Sequence, residues 1–414
     1  MTPLRAERPA AAMLTGQVLS MLGMSTYAVL LPLLQRQWGM SNSEAGLIGS
    51  GFFLGYICTV TFWSTLTDRM DARRIYVAGC VLASAGLFVF GFLASGFWLA
   101  LLAHMLYGVG VSAAYMPGLK ILSDRYQGPR QSRVFSFYTA FYGLGAAISL
   151  ASTQWLADTW GWRAAFAFAA CGPLVAIALV TAWTRALPAR LGAVSHRVSW
   201  RDAFPVQAWA AVLRQPRSRL FIIGYAMHCL EMFGARAWLV AFLVFAGGAA
   251  AGQAGGSALP WSAGAIAAVV SLGSVGASIL GNEAALRIGR ERWIRCVMLV
   301  SSLLGIAMAA CAASPWPLLL LLVALYTLAV MAESATLTAG LVEASDPAYR
   351  GAALGLYSLA GFAGGMLGPT LFGLALDATG GGRAAGSWVA GFAALGSGCF
   401  VFALLQFYRR RGLA

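Results

Sequence analysis

Long runs of apolar residues, separated by short polar connections, make up most of this sequence. Each run has about 18 to 25 residues, the length at which an α-helix crosses the hydrocarbon core of a bilayer. The pattern therefore predicts twelve membrane-spanning helices, over residues 13–34, 44–66, 75–95, 97–119, 134–156, 164–184, 219–243, 262–284, 293–313, 316–341, 351–374 and 385–407.

Composition agrees with an all-α membrane protein. Hydrophobic residues make up 60% of the chain and charged residues 10%, whereas a soluble domain has about 25% charged residues. The seven cysteines lie within or at the ends of apolar runs, so they predict neither a disulfide framework nor a zinc site. Two arginines precede the first run as in a signal peptide, but without an A-x-A cleavage site we expect a retained first helix.

The net charge of +14 raises nucleic acid as a partner, but its distribution argues against one. Of the 28 Lys and Arg residues, 24 lie in alternate connections that we assign to the inside, three in outer loops and one within a helix. The positive-inside rule then predicts that both termini are cytoplasmic. The single lysine and the abundance of Ala, Gly and Arg favour a bacterial chain, and hence a multi-pass protein of the inner membrane.

The longest polar segment divides the chain into two halves. We predict a six-helix bundle over 1–184, a cytoplasmic linker over 185–218 and a second six-helix bundle over 219–414. The linker is either an amphipathic helix on the inner leaflet or a basic tether. The segment that begins at Arg133 aligns with the one that begins at Arg350, and internal repeats of this kind are typical of secondary transporters.

The loop after the second predicted helix reads STLTDRMDARR, residues 64–74. It resembles the G-x-L-x-D-R-x-G-R-R signature of the major facilitator superfamily, although Ser64 and Asp71 replace the two glycines. The resemblance implies two pseudo-symmetric bundles and a cytoplasmic latch that opens and closes during transport. The latch residues would be Asp68, Arg69, Arg73, Arg125 and Arg133; alternatively, these charges only hold a short loop at the membrane interface.

Ionisable side chains inside the membrane are functional candidates because each costs about 2.5 to 3.5 kcal/mol at a helix centre. In the resembled family, the first, fourth, seventh and tenth helices line the central cavity. The candidates lie on three of these helices, and Tyr27 on the first is a further candidate for the pocket. They are His104 on the fourth, His228, Glu231 and Arg236 on the seventh, and Glu333 on the tenth.

At about 100° per residue, His228, Glu231 and Arg236 share one face of their helix. A guanidinium stays charged and engages carboxylates bidentately, so Arg236 is the candidate for binding an anionic group. Glu231 and Glu333 are candidate proton carriers, with His104 and His228 as further candidates. The alternative is a structural ion pair of Arg236 with Glu231 or Glu333.

The sequence thus predicts a proton-coupled symporter that imports a small organic solute by alternating access, and Arg236 favours an anionic one. We expect it to act as a monomer, without a cofactor. Efflux of drugs or metabolites is one alternative, and copper import through His228 and Met232 is a second. A channel or receptor would not need the repeat, and the sequence lacks the constellation of an enzyme.

Overall fold

A computed structural model describes residues 3–67, 69–184, 205–251, 259–347 and 349–411, and these are mainly helical. A π-helix over Val89–Leu93 extends the fourth helix. The helices of the first half are α1 Pro3–Ser20, α2 Thr26–Trp38, α3 Asn42–Leu66, α4 Ala72–Phe88, α5 Phe97–Ser123, α6 Gly128–Trp160 and α7 Trp162–Trp183.

The second half begins with a short helix and continues with seven longer segments. They are α8 Val206–Arg214, α9 Pro216–Ala251, α10 Ala263–Ile288, α11 Arg290–Ala310, α12 Trp316–Met331, α13 Ser334–Ala344, α14 Arg350–Ala378 and α15 Ala385–Arg411. Each of the twelve predicted spans coincides with one of these helices or with a broken pair, which confirms the predicted fold class.

Eleven helical segments of the described residues are long and apolar enough to cross a membrane. Large aliphatic side chains stand exposed on them, among them Leu280 with 71% of its surface accessible. Water would penalise so large an apolar surface, whereas lipid solvates it. The remaining predicted span, 13–34, falls on α1 and α2, which a turn separates.

The turn between α1 and α2 frees backbone groups, and α6 satisfies them. Ser149 on α6 donates from its hydroxyl to the Leu22 carbonyl and accepts a hydrogen bond from the Ser25 amide. The Ser25 hydroxyl in turn donates to the Ala146 carbonyl. A helix can therefore break inside the membrane here, because α6 supplies partners for the Leu22 carbonyl and the Ser25 amide.

The tenth span is also broken, at Ala332 and Glu333, between α12 and α13. The indole N–H of Trp293 on α11 donates to the Ala332 carbonyl at 2.9 Å. Glu333 is the N-cap residue of α13, and its side chain is 1% exposed. The break thus places a carboxyl group in the interior of the second half.

Close contact between α9 and α14 depends on glycine. Cβ atoms at Gly364 and Gly368 would meet the carbonyl oxygens of Ala226 and Leu230 on α9. The indole N–H of Trp238 on α9 also donates to the Pro369 carbonyl at 2.9 Å. These contacts confirm the packing role that small residues have in membrane helices, and they fix the helix that carries the candidate site residues.

The described chain divides into two compact units. One comprises residues 1–30 and 51–204, and the other comprises 31–50 and 205–414. Residues 31–50, which the sequence division gives to the first half, therefore group with the second. One reason is the contact of α3 with α14, where a Cβ at Gly373 would meet the Asn42 carbonyl.

Part of the predicted linker, residues 185–204, lies outside the described residues. The rest includes α8, whose Val212 is fully buried in a core cluster with Phe221 and Ala353. The segment therefore is helical, and its apolar side packs on the helices of the second unit.

Candidate functional site

The centre of the second unit holds a buried imidazole–carboxyl pair. His228 Nδ1 on α9 lies 3.1 Å from Glu333 Oε1 at the break between α12 and α13, and the two side chains are 0% and 1% exposed. Either the ring donates to a carboxylate or a protonated carboxyl donates to the ring, so the hydrogen bond needs one proton. Burial penalises net charge, so the pair is most stable in a state without net charge. That state is either a neutral imidazole with a carboxylic acid or an imidazolium with a carboxylate.

The outer atoms of this pair have no hydrogen-bond partner among the described residues. They are His228 Nε2 and Glu333 Oε2, and the nearby Thr336 hydroxyl is also buried and unpartnered. Buried polar atoms are normally satisfied. Three such atoms around one helix break therefore mark a place where water, a proton or a solute group can bind.

Arg236 contacts the same break from two turns further along α9. Its Nη2 atom donates to the Met331 sulfur at 3.5 Å, and Met331 is the last residue of α12. The guanidinium is half-buried, in contrast to the fully buried His228. At 1.5 Å per residue, the two α9 positions are about 12 Å apart along the axis.

Glu231 is directed to a different set of helices. Its Oε2 accepts a hydrogen bond at 3.1 Å from the hydroxyl of Ser301 on α11, and the thiol of Cys399 on α15 lies beside it. The side chain is 1% exposed, and its Oε1 has no hydrogen-bond partner among the described residues. The helical wheel places Glu231 on the face of His228 and Arg236, but in the structure it points into the packing of α9 against α11 and α15.

Met232, one turn from His228, is 8% exposed. The described residues contain no group of three or more His, Cys, Asp and Glu side chains placed to hold a metal ion. Ser301 and Cys399, which surround Glu231, are not among the sequence candidates because uncharged Ser and Cys are common in apolar helices.

In the first unit, aromatic rings surround His104. The centroid of its ring lies 5.3 Å from Tyr27, 5.9 Å from Phe52, 6.0 Å from Phe90 and 6.1 Å from Tyr107. His104 is 6% exposed and Tyr27 is 2% exposed. The structure therefore brings the sequence candidates His104 and Tyr27 together. Phe52 and Phe90, which also surround the His104 ring, were not among the candidates from the sequence.

Asp68 lies outside the described residues. Among the other latch candidates, Arg73 donates to the Thr181 carbonyl, and the Arg125 guanidinium donates to the Ile121 carbonyl at 2.8 Å. Burial and the like charge of Arg73 lower the pKa of Arg125. These two latch candidates therefore lie near one another.

The other two latch candidates, Arg69 and Arg133, are exposed. Asp71, which stands where the family signature has glycine, accepts a hydrogen bond from the Arg73 amide at 2.9 Å and caps α4. That cap gives a structural reason for the departure from the signature.

Residues 13–263 match the sequence profile of the Major Facilitator Superfamily, and because this is more than half of the chain, the protein belongs to that family. With eleven apolar helices in its described residues, it is a multi-pass membrane protein of that family.

Two proteins with similar sequences are named as transporters of small organic compounds. A putative tartrate transporter of Agrobacterium vitis is 26% identical over 160 residues, 38% of this chain and 35% of that protein. A probable 4-methylmuconolactone transporter of Cupriavidus pinatubonensis is 26% identical over 158 residues, 37% of this chain and 36% of that protein. The matched region thus spans little more than a third of the length of each relative.

Solved structures share the fold over nearly the whole chain. A bacterial homologue of the human lysosomal transporter Spinster, inward-facing and unoccupied, gives a TM-score of 0.75 at 15% identity and covers 99% of this chain and 96% of that one. A mutant of the nucleoside transporter NupG gives 0.77 at 15% identity and covers 98% and 99%. At these identities, the similarity establishes the fold alone.

Proposed function

We propose that the protein imports a small organic anion together with protons by alternating access. The observation that carries this proposal is the hydrogen bond of His228 with Glu333 at a helix break that Arg236 also contacts. The pair can gain or lose one proton, and the arginine supplies a fixed positive charge on the same helix. A proton can therefore bind at the His228–Glu333 pair and an anion at Arg236, and both sites include a side chain of α9.

The coupling follows from the cost of buried charge. Glu333 without its proton leaves a carboxylate in a site that excludes water, so occupancy by a proton is favoured before the site closes. A half-buried arginine likewise is better stabilised when an anion pairs with it. The carrier therefore changes conformation most readily when Glu333 holds a proton and Arg236 holds an anion. An inward proton gradient then drives import of the anion.

The relatives support the substrate class, since one of them is named for tartrate, an organic anion. The arginine distribution supports an inner-membrane protein with both termini in the cytoplasm. In this proposal the bundles 1–184 and 219–414 alternate about the linker 185–218 in a monomer, with Asp68, Arg69, Arg73, Arg125 and Arg133 as the latch. His104 and Tyr27 contribute to the first bundle's side of the pathway.

The test is uptake of labelled mono- and dicarboxylates, organic cations and copper into proteoliposomes with an imposed pH gradient. We expect uptake of a carboxylate that requires an acidic exterior. Arg236→Ala should raise the apparent KM roughly 10- to 100-fold, because hydrogen bonds to charged groups contribute about 1.5–3 kcal/mol. Arg219→Ala, on the same helix, is the matched control and should leave uptake unchanged.

Other outcomes contradict the proposal at separate points. Transport of cations outward would favour efflux, the activity suggested by the name of a multidrug resistance relative of Mycobacterium tuberculosis that is 26% identical over 33% of this chain. Copper uptake lost in His228→Ala and Met232→Ala would favour the metal alternative. Carboxylate uptake that survives Arg236→Ala at full affinity would leave the transport class intact and refute the binding role.

A further inference from the structure

The second unit contains a cavity of about 510 Å³ at one end of its helices. Three arginines line it, namely Arg217 at the start of α9 and Arg290 and Arg292 at the start of α11. The buried side chains of Phe221 and Ala285 form part of its wall. We propose that this cavity binds the phosphate group of an anionic phospholipid from the surrounding bilayer.

The arginines differ in how firmly their charge is already engaged. Arg290 is held by Glu343 Oε2 at 3.1 Å and by Asn282 Oδ1 at 2.9 Å. Arg217 is 78% exposed and lies 3.8 Å from Glu291, the distance of a loose ion pair. Exposed ion pairs of this kind are weak, so the Arg217 guanidinium can turn to a phosphate.

Arg292 is exposed and makes no ion pair within the part of the chain that the structure describes. Two of the three guanidinium groups are thus available, while the third is fixed in place by Glu343. Glu291 and Glu343 also line the cavity and offset part of its positive charge. Removing either negative charge should therefore strengthen the binding of an anion.

The start of α11 adds to the positive potential. Gly289 is its N-cap residue and provides no side-chain hydrogen bond to the first-turn amides. Those amides belong to the segment that lines the cavity, and the helix dipole places partial positive charge there. Without the arginines, the helix terminus alone would be a weak site; with them, it favours a phosphate that accepts several hydrogen bonds.

An apolar stripe next to the cavity favours a lipid over a soluble anion. Leu272, Val275, Ile279 and Leu286 are exposed along one face of α10, and Leu286 also lines the cavity. The stripe is about 21 Å long, more than half of a hydrocarbon core of about 30 Å. Glu283 is exposed on the same face between Ile279 and Leu286, so an acyl chain whose phosphate lies in the cavity would pass beside this carboxyl group and then follow Ile279, Val275 and Leu272.

This arrangement fits a general pattern. Basic pockets between membrane helices on the cytoplasmic side bind anionic head groups, and the arginine distribution predicts that this end of the helices is cytoplasmic. A phosphate in solution has the same chemistry as a lipid phosphate but would use only the cavity. The stripe therefore distinguishes the two sources.

The first experiment counts lipids retained by the purified full-length protein in native mass spectrometry. We expect phosphatidylglycerol to bind in preference to phosphatidylcholine. Arg217→Ala/Arg292→Ala should weaken phosphatidylglycerol binding roughly 25-fold, since each arginine near an anionic surface contributes about a fivefold factor. The control Arg214→Ala/Arg350→Ala removes two exposed arginines outside the cavity and should leave binding unchanged.

Further variants separate charge, lipid and folding effects. Arg217→Lys/Arg292→Lys keeps the charge and should retain most of the binding, whereas Glu343→Gln frees Arg290 and should tighten it. Ile279→Ser/Leu286→Ser should weaken phosphatidylglycerol binding without changing the affinity for inorganic phosphate. Equal loss in the control pair, no preference over phosphatidylcholine, or a site filled equally well by inorganic phosphate would each overturn the proposal.

Discussion

His228 on α9 and Glu333 at the break between α12 and α13 form a hydrogen bond of 3.1 Å, with no more than 1% of either side chain exposed. The bond joins a continuous helix to an interrupted one. Because the helix is interrupted at Ala332 and Glu333, a change in the pair's protonation can change the local backbone geometry. We therefore expect this pair to be where proton binding affects transport.

Glu333→Gln tests that expectation. Glutamine retains an acceptor and a donor for His228 but cannot release a proton, so the variant should fold and still exchange substrate across the membrane. We expect exchange between labelled and unlabelled substrate to remain within about threefold of wild type, while accumulation driven by a pH gradient is lost. Both are measured in proteoliposomes.

The matched control is Glu283→Gln, at an exposed position on α10. It should affect neither exchange nor accumulation. If Glu333→Gln accumulated substrate as wild type does, the proton would be carried elsewhere and the pair would be structural.

The second prediction concerns Glu231, whose Oε2 accepts a hydrogen bond from the Ser301 hydroxyl. Ser301→Ala removes this hydroxyl donor from a buried carboxyl group, which costs about 1–3 kcal/mol. We expect a lower midpoint of thermal unfolding in detergent. Ser301→Ala combined with Glu231→Leu should recover part of the loss, because neither polar partner then remains buried alone.

Ser397→Ala is the control for that variant. Ser397 is exposed and its hydroxyl donates only within its own helix, to the Ala394 carbonyl. Its unfolding midpoint should match that of wild type. An equal midpoint for Ser301→Ala would mean that the Ser301 hydroxyl does not stabilise Glu231.

The sequence was sufficient for the helices because their apolar length is set by the bilayer. It was also sufficient to single out His228, Glu231 and Glu333, since charge is costly within such helices. It did not predict the break at Glu333, because the residues around it include neither Pro nor Gly. The helical angles predicted a face that Glu231 shares with His228 and Arg236, but they did not predict its partners. These are the neutral side chains of Ser301 and Cys399 on two other helices.

The third prediction compares two aspartates that the internal repeat makes equivalent. Asp377 at the end of α14 accepts four hydrogen bonds from Asn42 and Ser43, two from their backbone amides and two from their side chains. The carboxylate thus caps the first turn of α3. Asp158 accepts hydrogen bonds only from Gln154, one turn earlier in the same helix.

We expect Asp377→Ala to lower the thermal unfolding midpoint of the protein, because α3 loses acceptors that satisfy its first-turn amides. The loss should be about 0.5–2 kcal/mol, the range found for helix N-caps. Asp158→Ala should be neutral within about 0.5 kcal/mol. The same effect for both variants would mean that the contact with α3 contributes nothing particular to stability.

The last prediction uses two glycines of α14 that differ in their surroundings. A Cβ at Gly368 would lie 2.9 Å from the Gly234 amide nitrogen on α9 and would also meet the Leu230 carbonyl. Gly368→Ala should therefore push α14 away from α9, at a cost of about 1–3 kcal/mol. Since α9 carries His228 and Arg236, we expect slower transport as well as a lower unfolding midpoint.

Gly355→Ala makes the same chemical change on the same helix, but a Cβ there has nothing within 4 Å. Alanine favours the helix over glycine by about 0.5–1 kcal/mol, so this variant should be as stable as wild type or slightly more stable, with unchanged transport. If both variants behaved alike, helix propensity would decide the outcome. A loss confined to Gly368→Ala would instead assign it to the close approach of α14 to the helix that holds the site.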